Sequence, residues 1–260
     1  MSGHIAVESF ELRLAEATPS QRARATPLIG LRASEGSCPT ITSGRGRRDE
    51  IYAPYSLPFR SGHVLALRRF PASPIGPAYR SVWHRDPNER WTFFQDVAPE
   101  CGCTRYFGAA VDEVLDSKIG VQWGSDRQFT IAVLAGEHRL DWRVTLSSSL
   151  TTRLMNGMRS LAPEAWWRSE RFMASMGTVA GAMLGAGSVR LTGCAPNGQQ
   201  FVIIPTLLWL ISGSTATLDG VDLGEIGASP TQGQLGDFRI PQRGVFAIGR
   251  SSFGPAPAGG

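Results

Sequence analysis

Apolar and polar residues alternate over three consecutive runs. Ile119, Val121 and Trp123 alternate, Gly124-Ser125-Asp126 breaks the run, and Phe129, Ile131 and Val133 alternate in turn. After Ala135-Gly136-Glu137 the pattern resumes at Leu140, Trp142, Val144 and Leu146. A period of two sends successive side chains to opposite faces of a strand, so the runs predict an antiparallel meander with one buried face. Arg139, Asp141, Arg143 and Thr145 fall on the other face as a solvated charge cluster.

A hairpin is predicted just before it. Residues 79–85 and 90–97 flank Asp86-Pro87-Asn88-Glu89. Proline at the second position suits a type I turn because its φ is already set. Folding about that turn pairs Arg85 with Arg90, His84 with Trp91 and Val82 with Phe93. One face would carry Val82, His84, Trp91 and Phe93, and the other Ser81, Trp83, Thr92 and Phe94. Aromatics on both faces imply a hairpin covered on both sides or lining a cavity.

Further strands are expected at 63–70, 104–111 and 188–193. Residues 201–204 and 206–211 are apolar on both faces, as in doubly covered strands. Hairpin turns are expected at Pro196-Asn197-Gly198 and Asp219-Gly220, and a closing strand at 244–249. Residues 1–50 read as irregular, with one strand at Phe10, Leu12 and Leu14, and 52–59 as an extended lead-in. Residues 112–116 read as an acidic turn.

The period changes after residue 147. Ser147-Ser148-Ser149 offers N-caps for a helix over 150–161, and Pro163-Glu164 suits the first turn of a second helix running to about 184. Gly177, Gly181 and Gly185 then form one flat helical stripe. It suits close packing on the sheet, or a homodimer face. The expected fold is mainly β: an antiparallel barrel or strongly curved sheet, lipocalin-like or related, with a two-helix insert at 150–186. The expected organisation is an irregular segment 1–50, one β-rich domain 51–253 and a disordered tail 254–260.

Composition fits that picture. Of 260 residues 42% are hydrophobic, enough for a core, and 30 glycines with 17 prolines suit many turns. Every cation except Lys118 is arginine, a skew expected of a GC-rich, bacterial-like genome. The run Gly44-Arg45-Gly46-Arg47-Arg48 lacks aromatics and is followed by Asp49-Glu50, so nucleic-acid binding is not expected. Two charge-free stretches, 172–189 and 194–218, are too Gly-rich or too broken by proline to span a bilayer as helices. No secretory signal precedes Cys38, Cys101, Cys103 and Cys194, so a cytoplasmic location and reduced thiols are expected. Cys101-Gly102-Cys103 lacks further ligands nearby in sequence, so no metal site is expected.

Candidate chemistry is sparse. The chain has no G-x-G-x-x-G after a strand, no Walker loop, no H-E-x-x-H and no G-x-S-x-G, which disfavours the common nucleotide-dependent and hydrolytic routes and suggests cofactor independence. His84, on an apolar face, would be desolvated and neutral, hence a candidate base. Lys118, the lone lysine, is a candidate Schiff-base amine, although neighbouring Asp112, Glu113 and Asp116 would keep it charged. Tyr106 completes the catalytic candidates. Trp83, Trp91, Phe93, Trp123, Trp142, Met173 and Met176 are candidates to line a hydrophobic ligand site, since such cavities are apolar and occur in barrel mouths. Three functions compete: a barrel binding a small, lipid-like apolar molecule; a lyase, isomerase or decarboxylase using His84 or Lys118; and a non-enzymatic homo-oligomeric protein joined through the glycine stripe.

Overall fold

The computed structural model describes residues 19–20, 49–71, 73, 75–147, 149, 152–154, 156–157 and 166–255. The strand expected at Phe10–Leu14, the Gly44–Arg48 loop, residues 256–260 and much of the first insert helix lie outside the described residues.

The chain is mainly strands. In order these are β1 (Asp49–Pro58), β2 (Val64–Phe70), β3 (Tyr79–Arg85), β4 (Trp91–Gln95), β5 (Glu113–Asp116), β6 (Lys118–Trp123), β7 (Gln128–Ala135), β8 (His138–Leu146), β9 (Thr192–Cys194), β10 (Gln200–Leu218), β11 (Val221–Asp222), β12 (Gln234–Leu235), β13 (Phe238–Arg239) and β14 (Val245–Phe253). Two helices matter for the site: α1 (Thr104–Phe107) and α2 (Glu170–Leu184).

Twelve strands form one mixed sheet in the order β5-β4-β3-β2-β1-β14-β10-β8-β7-β6, with β9 and β11 paired to β10. It curls into a nearly closed barrel. The two edge strands, β5 and β6, are consecutive and joined by Ser117 alone. Ser117 donates its backbone N–H to Gln95, and Arg80 donates to the carbonyl of Ile119, so both edges are tied near one point. Near-closure shields edges that would otherwise template association.

The sheet wall separates two cores. Inside the barrel, Leu57, Leu65, Val82, Phe129, Trp142 and Phe246 pack as one cluster and are at most 1% exposed. Outside, on the β2–β4, β10 and β14 side, Trp83, Phe93, Phe107, Phe201, Phe238 and Leu184 form a second cluster. Strand β2 is therefore buried at every position, whereas β7 and β8 alternate buried and open. The predicted meander is thus found as β6–β8, with its outer face in water.

β10 forms the corner. Its first half pairs with β14 and its second half with β8. Thr206 and Ser212 are extra residues that the neighbouring strands leave unpaired. Each such bulge reverses the in–out phase of the residues after it. Phe201 and Ile203 face the outer core before Thr206, and Leu208 and Leu210 face it afterwards. Trp209 and Ile211 face the interior before Ser212, and Ala216 does so afterwards.

Four sequence expectations change. The β3–β4 register is one residue off: Val82 pairs with Phe94, Trp83 with Phe93 and Arg85 with Trp91. The cause is Glu89, which follows the turn in the left-handed conformation at φ 68° and adds a residue to the loop. Trp83 therefore stacks on Phe93 at 4.4 Å, and His84 shares its face with Val82 and Thr92. Residues 104–111 are helical turns, not a strand, and bury the adjacent Tyr106 and Phe107 together. Residues 113–116 form β5, parallel to β4, in place of an acidic turn. The lead-in expected at 52–59 belongs to strand β1 as far as Pro58, and the register of β1 shifts between Pro54 and Ser56, as suits a proline within a strand.

The long helix of the insert ends at Leu184, as its pattern predicts. Gly185 takes the left-handed conformation, and Ala186 donates back to Gly181 while Gly185 donates to Ala182, closing the helix in a Schellman motif. The glycine stripe is not an open face. A β-carbon on Gly177 would stand 2.5 Å from the carbonyl oxygen of Val189, and one on Gly181 would press on that of Gly187. The close approach that Gly177 and Gly181 permit is made to the chain's own 187–191 segment.

Candidate functional site

The residues singled out in the sequence do not converge. Trp123 and Trp142 belong to the barrel interior, where Trp123 tilts on Phe129 at 4.7 Å and Trp142 donates to the Ser214 hydroxyl. Trp83, Trp91 and Phe93 lie across the wall in the outer core. There the Arg68 guanidinium sits between the Trp83 and Phe238 rings, 4.6 and 4.8 Å from their centroids, a cation–π sandwich. Met173 is buried against Trp167 and Leu191, and Met176 is half-buried one turn along.

The three catalytic candidates are also dispersed. Lys118 is exposed at the start of β6. Tyr106 is buried and stacks on Phe253 at 3.6 Å. His84 is buried beside His63, with Nε2 of His84 3.0 Å from Nδ1 of His63. Burial, then the neighbouring imidazole, pushes the His84 pKa down to about 4. Burial also lowers His63. His138 is bonded to Asp219 at 2.8 Å, which raises its pKa. Among the described residues no group of three His, Cys, Asp or Glu side chains is placed to hold a metal ion.

The cysteines differ from expectation. Cys101 is disulfide-bonded, while Cys103 and Cys194 are free thiols. The expectation of reduced thiols therefore fails at Cys101. Burial pushes the Cys103 thiol up to about 11, so it stays protonated and unreactive at neutral pH.

A cavity lies elsewhere, outside the barrel wall. It is about 90 Å3 and sits between α2 and the bulged part of β10, bounded by Met176, Ala180, Leu184, Leu207, Leu208 and Val245. Its walls are otherwise formed in part by Trp167, Phe238, Pro205 and Thr206. Chain geometry creates it from three sources. The Thr206 bulge, beside Pro205, bends β10 away from regular pairing. The glycine stripe draws the 187–191 segment onto one face of α2, leaving Met176 and Ala180 on the adjoining face. Asn156 clamps the first insert helix to β10, accepting from the Leu208 N–H at 2.8 Å and donating to its carbonyl at 3.0 Å.

Two arginines stand in the wall. Arg190 pairs with Asp237 at 2.7 Å, and that carboxylate also accepts from the Cys194 N–H. The Nε of Arg239 is buried with no hydrogen-bond partner among the described residues. Of the predicted site residues only Met176 borders this space. Pro205, inside an otherwise apolar run, was the legible signal for the bulge. Arg239 lies on a two-residue strand in a ribbon that carries no periodicity, so nothing in the sequence marked it.

Comparison with family models, curated proteins and solved structures gave no match. Fold and site together define a nearly closed, internally packed barrel with an apolar cavity on its helix-covered outer side. No helix among the described residues is long and apolar enough to cross a membrane.

Proposed function

We propose that the protein binds a small apolar molecule, and that it does so in the cavity between α2 and β10 rather than inside the barrel. The observation carrying this reading is the contrast between the two spaces. The barrel interior is filled by a packed cluster of buried side chains, whereas the outer space is open and apolar-walled. Ligand sites of this kind are concave, mostly apolar and furnished with a few polar groups. Apolar cavities of this order stay dry and take up small hydrophobic molecules, a space of about 150 Å3 sufficing for benzene. At about 90 Å3 the space is smaller than that, so a ligand with a body of a few carbons, such as a short branched chain, fits the size.

Titration with an environment-sensitive apolar dye tests the reading. Trp167 and the dye should report one saturable site in the wild-type protein. Ala180→Phe, which fills the cavity from α2, should abolish that site while leaving the folded signal intact. Equal dye binding by both proteins would refute the assignment.

A further inference from the structure

We propose that the molecule taken up in this cavity is a small carboxylic acid, its apolar body against Met176, Ala180 and Leu208 and its carboxylate held by Arg239. The inference rests on the ligand-binding reading above and names the ligand's chemical class. Its basis is an imbalance in the cavity wall. Arg190 and Asp237 satisfy each other, and Asp237 gains a further donor from the Cys194 N–H. Arg239 contributes to the same wall, and its Nε is buried without a partner among the described residues. A guanidinium nitrogen cut off from water and left unpaired is unfavourable, and a buried donor of this kind is normally satisfied. Nε itself is closed off, so a carboxylate arriving from the cavity supplies the missing acceptor as the guanidinium turns toward it. It also matches the planar fork of a guanidinium, which binds carboxylates in a bidentate, charge-assisted geometry.

The size of the cavity restricts the acid. About 90 Å3 is less than the ~150 Å3 that holds benzene, so it admits a short branched chain rather than an aromatic ring or a long acyl chain. The wall offers no second unmatched cation among the described residues, since the other arginine is engaged, so a monoanion fits better than a dianion. The ligand class is therefore a short branched alkyl monocarboxylate.

Competition against the bound dye separates this inference from the reading beneath it. The probes are 3-methylbutanoate and its uncharged counterpart 3-methylbutan-1-ol, which share a body and differ in the head. In the wild-type protein the acid should bind about tenfold or more tightly than the alcohol, the gain expected of a charge-assisted hydrogen bond. In Arg239→Gln that preference should fall to about twofold or less, the acid losing far more affinity than the alcohol. Arg239→Lys, which keeps the charge and loses the fork, should fall between the two and guards against a fold defect in the glutamine variant. Equal binding of acid and alcohol, or an acid preference that survives Arg239→Gln, would overturn the carboxylate assignment and leave the cavity reading standing. Failure of both probes to displace the dye would overturn both.

Discussion

Gly177 of α2 lies directly against Val189, whose carbonyl oxygen occupies the space a β-carbon at position 177 would need. This contact sets how closely the returning chain approaches the helix, and so shapes the cavity beside it. Gly177→Ala would gain helix propensity of roughly 1 kcal/mol but would force apart two backbones that have no soft side chain to yield. The clash wins. A net loss of about 1–3 kcal/mol is expected in chemical denaturation, and likewise for Gly181→Ala. Sedimentation should show the same mass for both variants as for the wild type. A change of mass would mean that the stripe also contacts a second copy.

The imidazoles of His63 and His84 share one hydrogen bond, which requires one nitrogen to accept and so at least one neutral ring. His84 titrates near 4 when folded and near 6.5 when unfolded. The unfolded chain therefore binds more protons between those values, and stability must rise with pH across them. The contribution is fully present above about pH 6.5 and is lost as pH falls through 4, a change on the order of 3 kcal/mol. His138 acts in the opposite sense, favouring the fold when protonated, but it is exposed and water-screened. Urea unfolding at pH 7 and pH 4.5 should show the drop, and His84→Leu should flatten it. An unchanged slope in that variant would remove His84 as its source.

Phe129 is fully buried in the barrel and meets both Trp123 and Phe246. Because that interior is solid, Phe129→Ala should cost about 3–5 kcal/mol through lost contacts and a new void. Dye affinity should not change, since the site lies across the wall. If the variant loses little stability, or if its dye affinity shifts, the interior is not the packed body described.

Thr206 is exposed and paired with nothing across the ladder, yet it fixes the phase of Leu207 to Ile211. Thr206→Ala should be nearly neutral, within about 0.5 kcal/mol. Deleting the residue should turn Leu208 and Leu210 toward the interior and Trp209 away from it, and the protein should fail to reach a cooperative fold. Circular dichroism and thermal melting distinguish the two variants.

These elements show what alternation along a chain can and cannot reveal. The β6–β8 meander was legible because one of its faces meets water, leaving a clean period of two. Strands β2 to β4 are buried on both faces, so their pattern could not say which side was which. One residue in the left-handed conformation, Glu89, was enough to exchange the faces of β4 and separate His84 from Trp91 and Phe93. A cavity inferred from apolar content without regard to faces would gather Trp83, Trp91, Trp123 and Trp142 around one space, while the fold divides them between two. The helix end at Leu184 was legible because glycine marks it chemically. The cavity was not, since it arises where a bulge, a helix face and a two-residue ribbon meet, and none of the three leaves a periodic trace.

Methionine methyl NMR offers the most direct test of where a ligand sits. Met176 borders the cavity, Met173 is buried behind it against Trp167, and Met183 is on the exposed side of the same helix. On titration with 3-methylbutanoate the Met176 methyl should shift progressively to saturation while that of Met183 stays in place. A saturable shift of Met183 with Met176 unmoved, or ligand effects confined to side chains of the barrel interior, would contradict a site between α2 and β10.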